Sequence, residues 1–260
     1  MKAFIQSYGK TLVFFAVIGL IGGFFTGLYL LDSYPPAIQQ QLLDEMAAEG
    51  LDGIPANLFL AIVTALQAAG YGLGLGAIGI PLSKRIGLWK DERTITKKPL
   101  IITIIAGILG GMALILPDFL YFSHHCEAIL QSYATKPTVP YLLAAILYGG
   151  VIEEVILRLF LMSLMAFLLF KVFQRKRETP STAILVGANL LSAILFAAGH
   201  LPATFVLLGD SPMILFRCFL LNGSFGLLFG WLYRKYGLRY AMIAHGGCHI
   251  VSKLIWILFL

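Results

Sequence analysis

Glu153 and Glu154 stand side by side inside the long apolar stretch Val139 to Phe173, and Arg158 follows the second of them by four residues. Ionisable side chains at membrane depth are costly enough to mark function by default. Successive residues on a helix turn by about 100°, so the two carboxylates face different ways and take different tasks. A four-residue spacing brings side chains together, which pairs Glu154 with Arg158 and leaves Glu153 to face a cavity. Phe196 and His200 share a face at the same spacing. There the ring can pack the imidazole into one orientation, and Pro202 loosens the helix just beyond, freeing backbone groups for water. His245 and His249 form a third such pair, with Gly246 and Gly247 between them allowing close approach. Their spacing is that of a zinc pair, yet the glutamate that an H-E-x-x-H site requires after the first histidine is Gly246 here.

This set suits hydrolysis. Attacking water needs a base to take its proton, and a desolvated carboxylate can serve. Charge developing on a carbonyl oxygen needs preorganised donors, each contributing about 3 to 4 kcal/mol, and imidazoles can supply them. No serine or cysteine is better placed as a nucleophile; Cys248 lies between the two histidines without an activating base. The remaining polar groups have plainer readings. Lys253 continues the His245 face with a stem long enough to snorkel outward. Arg217 and Asn222 suit a supporting role in the fold, and His124 and His125 read as exposed loop residues. Counted from the flanking loops, His245 falls in the inner third of its span, while Glu153 and His200 lie nearer the outside. A shared site therefore needs helix tilt, or a helix broken at Gly150 or Pro202.

The elements that must position these groups are membrane spans. The chain is 59% hydrophobic and 12% charged, with mean hydropathy +0.87, against about 25% charged in soluble proteins, which excludes a large soluble domain. Runs of roughly 20 apolar residues, enough to cross a core of about 30 Å, occur at Thr11 to Leu31, Asn57 to Leu82 and Leu100 to Phe122. Four more follow: Val139 to Phe173, Ser181 to about Leu208, Met213 to Tyr233 and Leu238 to Leu260. The fourth is long for one perpendicular span; a break near Gly149 and Gly150 makes the count eight. The expected fold is an all-α polytopic transmembrane bundle of seven to eight spans.

Lysine and arginine fix the orientation, because cytoplasmic loops are enriched in them. Lys2 and Lys10, then Lys84, Arg85, Lys90, Arg93, Lys97 and Lys98, then Lys171, Arg175, Lys176 and Arg177, then Arg234, Lys235 and Arg239 fall in alternate connections. The other connections hold only Lys136. An odd number of spans with a cytoplasmic N-terminus satisfies every loop, so the +6 net charge reports topology and no nucleic-acid partner is expected. The first apolar run follows a short basic stretch, but its length and the lack of an A-x-A-like site favour a retained span over a signal peptide. Three cysteines without metal-type spacing imply no disulfide framework. Asp32 to Pro55 reads as an acidic outer connector with a short helix, Ala37 to Ala48. Glycines repeating every four residues (Gly19, Gly23, Gly27; Gly70, Gly74; Gly72, Gly76) predict close helix packing.

E-E-x-x-x-R at Glu153, Glu154 and Arg158, F-x-x-x-H at Phe196 and His200, and H-x-x-x-H at His245 and His249 occur in this order on successive segments. The ordered set resembles the CPBP family, intramembrane proteases that include CAAX prenyl endopeptidases and bacteriocin-processing or immunity (Abi) proteins. The resemblance covers roughly Tyr141 to Val251. It implies an N-terminal part, 1–138, of transmembrane helices and loops, and a catalytic core, 139–260. It further implies an endopeptidase, glutamate-dependent or metal-dependent, acting on membrane-embedded or membrane-proximal peptides. By position, Glu153 would be the general base, His200 would hold and polarise the water, and His245 would stabilise the oxyanion, with Glu154, Arg158 and Phe196 supporting. His249 stands where the best-studied members have asparagine; a neutral histidine can donate one hydrogen bond in its place, with added sensitivity to pH. The favoured mechanism needs no cofactor; the alternative is zinc held by Glu153, His200, His245 and His249. The implied partners are a peptide or membrane-protein substrate and the lipid bilayer, and the implied location is a bacterial cytoplasmic membrane. The same buried charges also fit a proton-coupled transporter or a non-catalytic membrane scaffold.

Overall fold

The structure, a computed structural model, describes residues 2–90 and 95–259. Arg93 and Leu260, placed above in a basic connection and at the end of the last span, lie outside the described residues. Helices and their connections account for all of the described chain, and no strand occurs among those residues. Seven helical segments there are long and apolar enough to cross a membrane: Phe4–Ser33, Ala56–Arg85, Lys97–His125, Val139–Phe173, Thr182–Leu208, Pro212–Tyr236 and Leu238–Phe259. The chain is an all-α polytopic bundle. Its outward faces are apolar, with Leu66, Leu109 and Val172 exposed, as hydrocarbon requires.

We label α1 (Lys2–Ser33), α2 (Pro36–Ala48), α3 (Ala56–Arg85), α4 (Lys97–Pro117), α5 (Ser123–His125), α6 (Glu127–Ser132), α7 (Val139–Ala144), α8 (Ser163–Phe173), α9 (Thr182–Gly199), α10 (Leu201–Leu208), α11 (Pro212–Tyr236) and α12 (Leu238–Phe259). The expected outer helix appears as α2. Between α7 and α8 the fourth span does not break at Gly149 and Gly150. It widens instead, with π-helical stretches at Ala145–Glu153 and Val155–Met162 on either side of Glu154, so the span count is seven. A π stretch adds a residue to the turn, re-aims side chains without exposing the backbone, and recurs at functional sites. A third, Asp118–Phe122, follows Pro117, whose missing N–H interrupts the ordinary helical ladder.

The first and second spans pack along their lengths. A Cβ added at Gly23 would lie 2.4 Å from the Thr64 carbonyl oxygen, so this face admits only glycine, as the small-residue pattern predicts. Gly70 and Gly74 depart from that expectation: nothing lies within 4 Å of their Cβ positions, because they sit on the opposite side of α3 from Gly72, which meets α1 at Phe15. The π-helical fourth span sits centrally, touching α1 and α12 through its first stretch and α3, α9 and α11 through its second.

Candidate active site

Three spans, the fourth, fifth and seventh, and one helix break bring the motif residues together. Glu154 is fully buried and Arg158 almost so; Glu154 Oε1 lies 3.2 Å from Arg158 Nη1, the pair expected from their spacing. The contact is electrostatic more than directional, since Nη1 lacks an aligned hydrogen bond. Arg158 Nη2 donates to the Gly226 carbonyl at 3.2 Å, and the guanidinium lies 5.0 Å from the Phe196 ring centre and 5.5 Å from that of Phe229. Cation–π contact thereby helps hold a charge that a dry interior would otherwise expel.

The same Glu154 Oε1 accepts a hydrogen bond from His245 Nδ1 at 2.8 Å. Because a carboxylate accepts, Nδ1 carries the proton and Nε2 faces the other way, where it lies 3.9 Å from Glu153 Oε2. His245 is thus clasped between the two adjacent glutamates. Glu153 keeps 22% of its side chain exposed whereas Glu154 keeps none, matching the expectation that Glu154 is the one that pairs internally. Phe229 stacks on His245 with ring centres 4.4 Å apart and planes at 21°, and His249 stacks on His245 at 5.0 Å and 30°.

His200 closes α9, and α10 begins at the next residue, so the helix does break where Pro202 demanded. Its Nδ1 donates to the Phe196 carbonyl at 2.9 Å, leaving Nε2 as an acceptor. The Phe196 ring stands edge-on to it at 4.6 Å and lies 6.4 Å from the His245 ring. Phe196 therefore fixes His200 with both ring and backbone. His249 is within electrostatic reach of His200, His245 and Lys253, and its buried Nδ1 has no hydrogen-bond partner. Lys253 does not simply snorkel; its ammonium lies 4.9 Å from the Tyr141 ring centre. The depth mismatch counted from the loops is removed by the π-helical widening at Glu153 and the break at His200.

Two contributors carry no motif. Gly149 lets the fourth span approach α12: a Cβ there would lie 2.9 Å from His249 Nε2, and one at Gly150 would lie 3.0 Å from Gly246 Cα. Tyr29, on the first span, is within electrostatic reach of Glu153 and stands edge-on to Tyr141 at 5.0 Å, so the N-terminal spans supply part of the wall. Adjacent glycines hinted at Gly149; no sequence signal points to Tyr29 or Phe229. Zinc would need several donors aimed at one point. Among the described residues no three His, Cys, Asp or Glu side chains are so grouped, and Glu154 occupies His245 Nδ1.

The fold and the buried glutamate–histidine cluster together define a polytopic membrane protein with an interior built for polar chemistry. Residues 135–251 match the family described as Rce1-like, Type II CAAX prenyl endopeptidase Rce1-like; every motif residue lies inside this segment, and the match is consistent with the CAAX-protease (CPBP) kind. The match supports a CAAX-type intramembrane protease as the general class. No curated protein and no solved structure matches the chain.

Proposed function

We propose that the chain is an integral membrane endopeptidase in which Glu153 activates water to cleave peptide bonds of membrane-embedded or membrane-proximal substrates. The supporting observation is the clasp of His245: Nδ1 bound to buried Glu154, and Nε2 turned toward the partly exposed Glu153 at 3.9 Å. Water held against His200 Nε2 gives a proton to Glu153 and its oxygen bonds to the scissile carbonyl carbon. The carbonyl oxygen takes the negative charge. With Nδ1 committed to Glu154, His245 donates to that oxygen through Nε2 only as the imidazolium, whose charge the Glu154 carboxylate and the developing oxyanion balance. The intermediate then collapses: the C–N bond breaks, Glu153 returns its proton to the leaving nitrogen, and the products depart as carboxylate and ammonium once the new acid has passed its proton to the amine. His249, stacked on His245, takes the place that the resemblance gives to an asparagine donor.

An apolar cleft of about 610 Å³ opens between α4 and α11, lined by Leu109, Gly110, Leu221 and Phe225 among others. Phe225 stacks on Phe229, which stacks on His245, so the cleft offers apolar substrate segments a lateral approach. A bacterial cytoplasmic membrane is the setting that the topology and the resemblance favour. The test is cleavage of a quenched peptide library by the purified protein in nanodiscs. We expect activity that Glu153→Gln removes and a chelator spares. Chelator-sensitive cleavage would move the reading to zinc, and no cleavage by folded wild type would favour a transporter or scaffold.

A further inference from the structure

A second cavity, apart from the glutamate–histidine site, lies at the Lys/Arg-rich end of the bundle, the cytoplasmic end by charge bias. Its volume is about 290 Å³, and its walls come from the start of α1, the turn after α3 and the junction of α11 with α12. Ser7 and Thr11 contribute hydroxyls, Lys90 and Arg239 contribute charge, and Trp89 and Tyr236 contribute aromatic surface. No aspartate or glutamate lines it among the described residues.

Two other cations at this end have partners. Lys84 donates to the Tyr8 hydroxyl, and Lys235 lies 5.0 Å from the Trp231 ring centre. Lys90 and Arg239 have no ion pair among the described residues, although both border the same concavity. Lys90 is also positioned. Gly237, with φ of +108°, passes beneath it so closely that a Cβ there would lie 3.1 Å from Lys90 Cβ, and the absent side chain lets the lysine stem lie across the α11–α12 junction. Two cations and hydroxyl donors, with no acid among the described lining residues, attract an anion. Arginine's planar fork matches phosphate, and aromatic side chains favour the headgroup level. The volume is at the small end of ligand pockets, about 300–1,000 Å³, which suits one phosphate group and little more. Basic pockets between helix ends on the cytoplasmic side are where anionic headgroups bind.

We propose that this cavity holds the phosphate of an anionic phospholipid, gripped by Lys90 and Arg239. The inference does not depend on the hydrolytic reading, but it bears on that site. Met242 lines the cavity and lies three residues before His245 on α12, so a headgroup bound at the Gly237 junction steadies the start of the helix that carries both histidines.

The test is native mass spectrometry of the purified protein titrated with phosphatidylglycerol or phosphatidylcholine, alongside thermal unfolding with inorganic phosphate. Wild type should prefer the anionic lipid, and Lys90→Gln/Arg239→Gln should weaken that preference roughly thirty-fold, about five-fold for each cation. Lys90→Arg, which keeps the charge, should retain binding, and Arg175→Gln/Lys176→Gln, which removes two cations elsewhere on the same side, should leave it unchanged. Stabilisation by inorganic phosphate that requires Lys90 and Arg239 would keep the phosphate site and assign it a soluble source. An undiminished lipid preference in the double variant, or an equal loss in the Arg175/Lys176 control, would overturn the proposal.

Discussion

Two buried carboxylates in this bundle meet an arginine, and the surroundings of the two differ. Asp118, at the head of the π stretch after Pro117, takes Arg217 in a two-pronged contact: Oδ1 accepts from Nε at 2.5 Å and Oδ2 accepts from Nη2. Tyr133 adds its hydroxyl to Oδ2 at 2.7 Å, and burial, followed by the nearby Asp118 charge, pushes that phenol well above its usual range. Both oxygens are answered. Glu154 instead loads His245 and Arg158 onto Oε1 and leaves Oε2 buried without a hydrogen-bond partner; Arg158 Nη1, held only by its charge contact, and His249 Nδ1 also lack one. Satisfied networks rigidify a fold, whereas an unsatisfied buried group needs a reason to exist. The first cluster fastens the outer end of the third span to the sixth and to the connector beyond it. The second keeps polar capacity in reserve beside a partly exposed carboxylate, as the proposed reaction site would require.

The contrast can be broken by substitution. The largest effect is expected at Glu153: Glu153→Gln should lower kcat/KM by about 10²- to 10⁴-fold, the range for loss of a general base, with thermal unfolding unchanged. Removing one partner of a buried pair costs about 3–5 kcal/mol, so Asp118→Asn and Glu154→Gln should both destabilise by that order. Only Glu154→Gln should also depress kcat/KM in the fraction that remains folded; equal kinetic losses in the two variants would erase the distinction drawn here. Gly149→Ala drives a methyl group toward His249, and small misplacements at a reacting centre cost up to about 100-fold; a drop of roughly ten-fold in kcat with little change in KM is expected. The smallest effect belongs to His249→Asn. An amide keeps a donor at that position, so activity at neutral pH should stay within a few-fold of wild type in kcat/KM measurements.

Local spacing made half of the site legible. The four-residue rule found Glu154 with Arg158 and Phe196 with His200, and Pro202 announced the helix break, because each acts within one turn of its own helix. Contacts between distant segments left no such trace: His245 and Glu154 are 91 residues apart, and Arg217 and Asp118 are 99 apart. Gly149 and Gly150 suggested a broken span because glycine permits a break and a π-helical widening alike; the choice was made by packing against α1 and α12. Glycine repeats likewise mark two faces of α3 in the sequence, and only tertiary contact tells the Gly72 face from the outward face of Gly70 and Gly74. Phe229 and Tyr29, one stacked on His245 and the other walling Glu153, sit in apolar runs where nothing distinguishes them from other aromatic residues.

The most direct test of Glu153 as the base that activates water is a single-turnover cleavage in water enriched in oxygen-18, with both the product and the enzyme's peptides read by mass spectrometry. The expected result is one solvent oxygen in the new carboxylate of the product and none in the Glu153 side chain. Label in Glu153, which would mark it as a covalent nucleophile, or undiminished cleavage by Glu153→Gln, would contradict the role assigned to it.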